Sequence, residues 1–440
     1  DTIKVAPGTY NEALILNKQN LTVESTGGAA TTIIDVPDGT LTVGVKVLAN
    51  MGTVTFKGFT VKDFTEGGII QPMSAREGTT FKVLNNIVSP AGGYLRNGIQ
   101  VAGDGSVVRG NEITSAFLTD EWSSTAIGVV DASNVTVSGN TITGVGDYGI
   151  SAYTWSVPTM SGITITGNTI TGIDVPLGVV AYNEGTVSNV DLHENKVSGY
   201  EVALEAAPYH ETGYESYWGT AVTDVDATHN WWGNPNGPQA PIIGDPQVIQ
   251  WCATEDCTTF APNASGVIEL TGAISQTGGI NIYVPHVTYL LKNGTTVQNA
   301  SPCFNIYASY VTIKAETIGG AKCVPTNSAN GINVGANLVN IVIDGLEIDG
   351  TGQDTGDGIH FEGDVTDLVL KDNKIHDLDG DGVEFAGDVL AGTELGYDIH
   401  GNLFQNNTGL GINKSAGTGT VAAEYNSWGS ASGAAAGDGI

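Results

Sequence analysis

Positive charge is scarce in this chain. Its 440 residues hold 16 Lys and Arg against 47 Asp and Glu, a formal net charge of −31. Only three residues are Arg: Arg76, Arg96 and Arg109. Such a surface repels phosphate backbones and anionic headgroups and attracts cations, so nucleic acid is set aside as a partner. Long apolar runs are missing too. None approaches the ~20 residues of a membrane helix, so this segment has no direct membrane span. No stretch of about 10–15 residues carries helical periodicity, which argues against βαβ folds and leucine-rich horseshoes. Charged residues are only 14 % of the chain, yet 40 % are apolar, too many for a disordered polymer.

Glycine is abundant, at 61 residues, and fits a β protein with many turns. The clearest signal is repetition. VTVSGNTITG at 135–144 returns as ITITGNTITG at 163–172. The pattern Asn, any residue, then Ile or Val places Asn85, Asn111, Asn140, Asn168 and Asn195 in one series, 26 to 29 residues apart. Asn230 follows, and Phe59 takes the same slot before Asn85. A second series runs through Leu346, Asn373, Asn402 and Asn426. A period in the twenties means one supersecondary unit stacked many times.

Apolar Val135 and Val137 alternate with polar Thr136 and Ser138, and Ile163 and Ile165 with Thr164 and Thr166, so the units are made of strands. Three short strands per coil, with coils stacked in parallel, give an all-β parallel β-helix solenoid. The Asn is expected at a sharp bend, in the left-handed conformation it tolerates. Its amide is expected to hydrogen-bond up the stack at a spacing of about 4.8 Å. The Ile or Val two residues on points into the core.

Both series close alike, in Asn230-Trp231-Trp232-Gly233 and Asn426-Ser427-Trp428-Gly429. Trp231, Trp232 and Trp428 read as residues that seal a stack end, with a sugar platform as the sharper alternative. Two consecutive modules follow, 1–234 and 266–440, with 235–265 as a Pro-rich junction. The chain stops soon after the second closing motif, which reads as a module boundary inside a longer protein. Four cysteines are an even count, and two disulfides in an oxidising compartment is the leading reading, with free thiols and a metal site behind it. Cys252 and Cys257 form a tight loop in the junction. Cys303 and Cys323 lie a little less than one coil apart, so a bridge between them would tie a starting coil to the next.

The ladder, Gly8-Thr9-Tyr10-Asn11-Glu12 near the start and the Asn-Trp-Trp-Gly ending resemble the right-handed parallel β-helix repeat family, the pectate-lyase-like superfamily. The second module, with SPCFNIYASYVTIKAE, GLEIDG and KIHDLDGDGVEF, is similar to repeats of very long secreted bacterial surface proteins. The resemblance implies a right-handed solenoid in an extracellular, cell-surface setting. It says little about activity, because this fold hosts many functions. Its enzymes have residue demands that this chain does not meet. The later motifs that pectin methylesterases need after a GxYxE opening are missing, as is the polygalacturonase set. No Arg stands beside an acidic cluster in sequence, as a pectate lyase needs. No catalytic residue is nominated.

Three features could still bind something. Asp377, Asp379, Asp381 and Glu384, with Asp354 and Asp357 one coil earlier, sit in Gly-rich turns. Asp there usually supports the backbone, while Ca2+ ligation is the sharper reading and acid/base work the remotest. His360, His376 and His400 fall in successive coils; solvated turn positions are the default and a cluster is the alternative. An insertion at 206–220 carries Tyr209, Tyr214, Tyr217 and Trp218, an aromatic loop suited to sugar or protein recognition, or to covering the module junction. Together these features favour a non-catalytic secreted cell-surface structural or adhesive repeat protein. Its expected partners are copies of itself or other surface proteins, and end-to-end assembly into a filament or sheath fits this reading. The rival is a Ca2+-dependent protein that binds or degrades polysaccharide.

Overall fold

A computed structural model describes residues 1–37, 42–90, 97–116, 124–210, 215–244, 246–261, 266–275, 278–299, 301–392, 396–418 and 420–429. These residues form short strands and two 3-10 turns, Met73–Ala75 and Glu215–Tyr217, with no α-helix among them. Two compact units emerge, Asp1–Phe260 and Ala261–Ile440.

In the first unit three parallel sheets run the length of the stack. The first sheet has nine strands, from Thr2–Val5 to Ala221–Asp226. The second has eight, from Gly8–Tyr10 to Lys196–Ser198, and the third nine, from Leu14–Leu16 to Ile242–Gly244. The second unit repeats the plan with sheets of seven, six and six strands. Successive strands of the chain go to successive sheets, so each coil contributes one strand to each wall. This is a parallel β-solenoid.

Period-two alternation sends every second side chain inward, and parallel register stacks like on like. Ile99, Ile127, Ile150 and Leu177 form one such column, and Val108, Val137, Ile165 and Leu192 another; all eight are fully buried. Each is worth roughly 1.5–3 kcal/mol of burial.

At the bend between the first and second sheets runs the asparagine ladder. Asn111 Nδ2 donates to Asn140 Oδ1 at 2.9 Å, Asn140 Nδ2 to Asn168 Oδ1 at 2.9 Å, and Asn168 Nδ2 to Asn195 Oδ1 at 2.9 Å. Asn195 continues to Asn230 at 3.0 Å. In the second unit Asn373 donates to Asn402 and Asn402 to Asn426. The same acceptor oxygen takes the next backbone N–H, so each rung satisfies main chain as well as side chain. The rungs through Asn230 and Asn402 are buried, and Asn426 at the end is half-exposed.

Two expectations are corrected here. The rung before Asn111 is Asn86, not Asn85: Asn86 Nδ2 reaches Asn111 Oδ1 at 3.0 Å, because Val88 pairs with Ile113 and thereby fixes the register. The left-handed bend also falls one residue earlier than the ladder position. It is made by Asn85 (φ 54°), Gly110, Gly139, Gly167 and Glu194. Asn85 is the bend residue that stands where later coils have glycine, while the rung keeps ordinary backbone. Phe59 and Leu346 occupy the first slot of each ladder, and their N–H groups donate to Asn86 and Asn373.

Trp232 is buried and Trp231 half-buried at the end of the first ladder. Trp251 lies against Gly237 with its Nε1 donating to the Pro235 carbonyl at 3.0 Å, so residues from the stretch 235–260 pack on the first unit. Trp428 stacks on Phe404, with ring centres 5.1 Å apart. Both disulfides are formed, Cys252–Cys257 and Cys303–Cys323. Cys323 is the in-register neighbour of Val297, so the second bridge links adjacent coils inside the core. No described helix is long and apolar enough to cross a membrane.

Candidate functional site

In the first unit, parallel register turns three scattered aromatics into a row. Tyr153 pairs with Val180, and Val180 with Ala207. Two residues further on, Trp155, Tyr182 and Tyr209 therefore stand one above another at the rim of the third sheet. Their ring centres are 5.8 Å apart for Trp155–Tyr182 and 4.9 Å for Tyr182–Tyr209. The insertion adds Tyr217, stacked on Trp155 at 5.7 Å, and Trp218, whose backbone bridges to Tyr182. The rings of the row are half-exposed, and Trp218 is exposed beside His210. Tyr214 lies outside the described residues. Trp155 and Tyr182 are missing from the sequence reading, although 155, 182 and 209 are 27 apart, which is the repeat period itself.

The row stands on a fixed base. Asp131, buried and left-handed, accepts the N–H groups of Trp155 and Ser156, and the Arg76 guanidinium lies 3.5 Å from its carboxylate. Thr154 Oγ1 donates to the Tyr182 carbonyl and accepts the Tyr182 N–H, while Asn183 Nδ2 donates to the Trp155 carbonyl. A cavity of about 610 Å³ opens beside this base, with Arg76, Thr79, Asp104 and Asp131 in its lining. Next along the sheet, Tyr148 lies across Gly178, leaving no room for a Cβ there, and its hydroxyl bonds Glu205. Burial first, and then the Glu205 charge, push the Tyr148 phenol far above its ordinary value.

In the second unit, the outer face of the third sheet carries a polar column. Asn281, Asn305, Asn333, His360, Glu384 and Asn413 are successive register partners. Beside its first rungs Tyr283 and Tyr307 stack at 4.8 Å.

The six nominated carboxylates separate here. Asp357 and Glu384 come together, joined by His360: its Nδ1 is 2.8 Å from Glu384 and 3.3 Å from Asp357. Burial and then the facing Glu384 raise the Asp357 carboxyl; Glu384 is held lower because Ser415, Asp357 and His360 outweigh its own burial. Asp381 accepts the Asn413 amide at 2.7 Å, Asp379 accepts the Thr355 N–H at 3.0 Å, and Asp354 accepts the Ser328 hydroxyl at 2.9 Å. Asp377 belongs to another wall, where it faces His376 Nδ1 at 2.6 Å. There His376 Nε2 meets Glu347 at 3.1 Å, and Lys322 and Lys374 close on Glu347 at 3.0 and 2.7 Å. The histidine cluster does not form: His360, His376 and His400 lie on the third, second and first sheets, because successive strands of one coil go to different walls.

Residues 43–211 match the family described as the right-handed beta helix region. The fold of the chain is a parallel β-helix, and the matched segment is of the right-handed kind. No curated protein sequence matches it. Among solved structures, this β-helix is similar to the catalytic unit of a thermostable α-1,3-glucanase from Streptomyces thermodiastaticus, at 14 % identity and a TM-score of 0.38 over 97 % of this chain. It spans 64 % of that glucanase unit. It is also similar to the DFA-IIIase of Arthrobacter chlorophenolicus, at 12 % identity and a TM-score of 0.33, covering 96 % of this chain and 89 % of the other. The Streptococcus pneumoniae surface protein and adhesin PfbA matches at 12 % identity and a TM-score of 0.32, covering 94 % and 91 %. Likenesses this weak carry no argument about activity.

Proposed function

We propose that this β-helix is an extracellular, non-catalytic adhesive protein that holds a neutral polysaccharide against the rim of the third sheet in its first unit. The observation that supports this reading is the row Trp155, Tyr182 and Tyr209. Half-exposed aromatic faces repeat once per coil on a hydrogen-bonded base, with Tyr217 and Trp218 beside them. Rings fixed in this way stack on sugar faces at little entropic cost. The net charge of −31 favours a neutral glycan over a polyuronate. Two disulfides fit an oxidising, extracellular setting.

Glycosidic cleavage has less support. The Asp357 and Glu384 ligand oxygens lie within 4.8 Å of each other and of a His360 nitrogen. The carboxylates of retaining and inverting glycosidases stand roughly 5–5.5 and 6.5–9.5 Å apart, with the scissile bond between them.

The test is affinity electrophoresis of the full chain through gels loaded with neutral glycans or with polyuronate, alongside Trp155→Ala and Tyr209→Ala. Retardation by a neutral glycan that both variants lose is the expected result. Equal retardation of the variants, no retardation by any glycan, or measurable depolymerisation with or without Ca2+ would overturn it. Filaments on an electron-microscope grid would add end-to-end assembly to the adhesive role.

A further inference from the structure

The second unit holds two groups of one histidine and two carboxylates, and they differ in one respect. Glu347, Asp349 and His376 carry their own cations: Lys322 lies 3.0 Å from both carboxylates and Lys374 lies 2.7 Å from Glu347. Asp357, His360 and Glu384 have no Lys or Arg ion-paired to them among the described residues. Their only countercharge would be the imidazole itself, and the two carboxylates face one another across it. Backbone architecture forces that meeting. His360 and Glu384 are register partners on adjacent coils, both on the outer face. Asp357 is pinned from the turn below, with its Oδ1 accepting the Asp381 N–H at 2.7 Å and its own N–H donating to Asn330.

We propose that Asp357, His360 and Glu384 bind one divalent transition-metal ion of the Zn2+ class. The donor set is one imidazole nitrogen and two carboxylate oxygens, which suits such ions; Ca2+ takes oxygen ligands throughout. The spacing is compatible with such an ion. A metal about 2.0–2.1 Å from each donor sets neighbouring donors roughly 2.8–3.4 Å apart at octahedral to tetrahedral angles. The His360 Nδ1 distances of 2.8 and 3.3 Å lie at that range, so binding needs little rearrangement. The Asp357, His360 and Glu384 side chains are 16, 25 and 21 % exposed, open enough for an ion to enter and for water to complete the shell. A dication there would offset the repulsion between the two carboxylates.

This site lies in the other unit from the aromatic row, so it stands or falls separately from the glycan reading. The experiment is calorimetric titration of the tag-free full chain with Zn2+, Mn2+ and Ca2+, with native mass spectrometry for stoichiometry. One Zn2+ per chain is expected, with Ca2+ failing to compete at equal concentration. His360→Ala and Glu384→Gln should each weaken it on the order of a hundredfold, while His400→Ala leaves it unchanged. A Co2+ absorption spectrum that His360→Ala abolishes is the second readout, and circular dichroism confirms that the variants stay folded. Zn2+ binding equal in wild type and both ligand variants, no stoichiometric binding, or Ca2+ displacing Zn2+ at equal concentration would overturn the assignment.

Discussion

Asn168 Oδ1 accepts two hydrogen bonds from one neighbour: the backbone N–H and the side-chain amide of Asn140, both at 2.9 Å. One oxygen thus holds two coils together in a place without water. Replacing Asn168 by Ala strands the Asn140 N–H in the interior and leaves a small void. The expected cost is about 2–4 kcal/mol, combining an orphaned buried donor with a truncated side chain. A lower urea midpoint at an unchanged m-value is the readout; a shift below ~0.5 kcal/mol would show that the ladder is decoration.

Asn85 and Asn86 make a sharper comparison. Asn85 has φ 54° in a slot that later coils give to Gly110, Gly139 and Gly167, whereas Asn86 is a buried rung. Asn85→Gly should change stability by less than about 0.5 kcal/mol, since glycine adopts that conformation freely. Asn86→Ala should cost roughly 1–3 kcal/mol. The reverse ranking in thermal melts would mean that the register is wrong.

The two disulfides should not be equal. Cys303–Cys323 closes 20 residues and Cys252–Cys257 closes five. Loop-closure entropy predicts about 3 kcal/mol for the former and about 2 kcal/mol for the latter. The double variant Cys303→Ala/Cys323→Ala should therefore lower the melting temperature more than Cys252→Ala/Cys257→Ala. The former also empties two buried core positions, Cys303 and Cys323, against one, Cys252, in the latter, which adds to its effect.

Acid should weaken the second unit. Burial alone would raise Glu347 and Asp349, but Lys374, Lys322 and His376 hold Glu347 low, and Thr351 and Lys322 hold Asp349 low. His376 and Asn406 lower Asp377. A carboxylate depressed in the folded state gives stability that is present above its unfolded value, near 4, and is lost as pH falls through the folded value. The unfolding midpoint should therefore drop from about pH 5 downward. Asp349→Asn should flatten that dependence while lowering stability at pH 7. An identical acid slope in wild type and variant would contradict the network.

The primary sequence by itself determined the solenoid. A period in the twenties, strict alternation at Val135–Ser138 and Ile163–Thr166, and an Asn at each bend admit few other folds, because only stacked coils satisfy a buried amide once per turn. It left undecided which of two adjacent asparagines makes the rung, since Asn85 and Asn86 both fit the pattern until Val88 pairs with Ile113. It also could not tell that Asp357 meets Glu384 while Asp377 goes to Lys-rich company with His376. Those residues are close in sequence, but a coil delivers consecutive strands to different walls and joins residues about 24–29 positions apart on the same wall. Linear clustering therefore misleads in a β-helix. Neighbourhood is set by register between coils, and register is fixed by how the core columns pack.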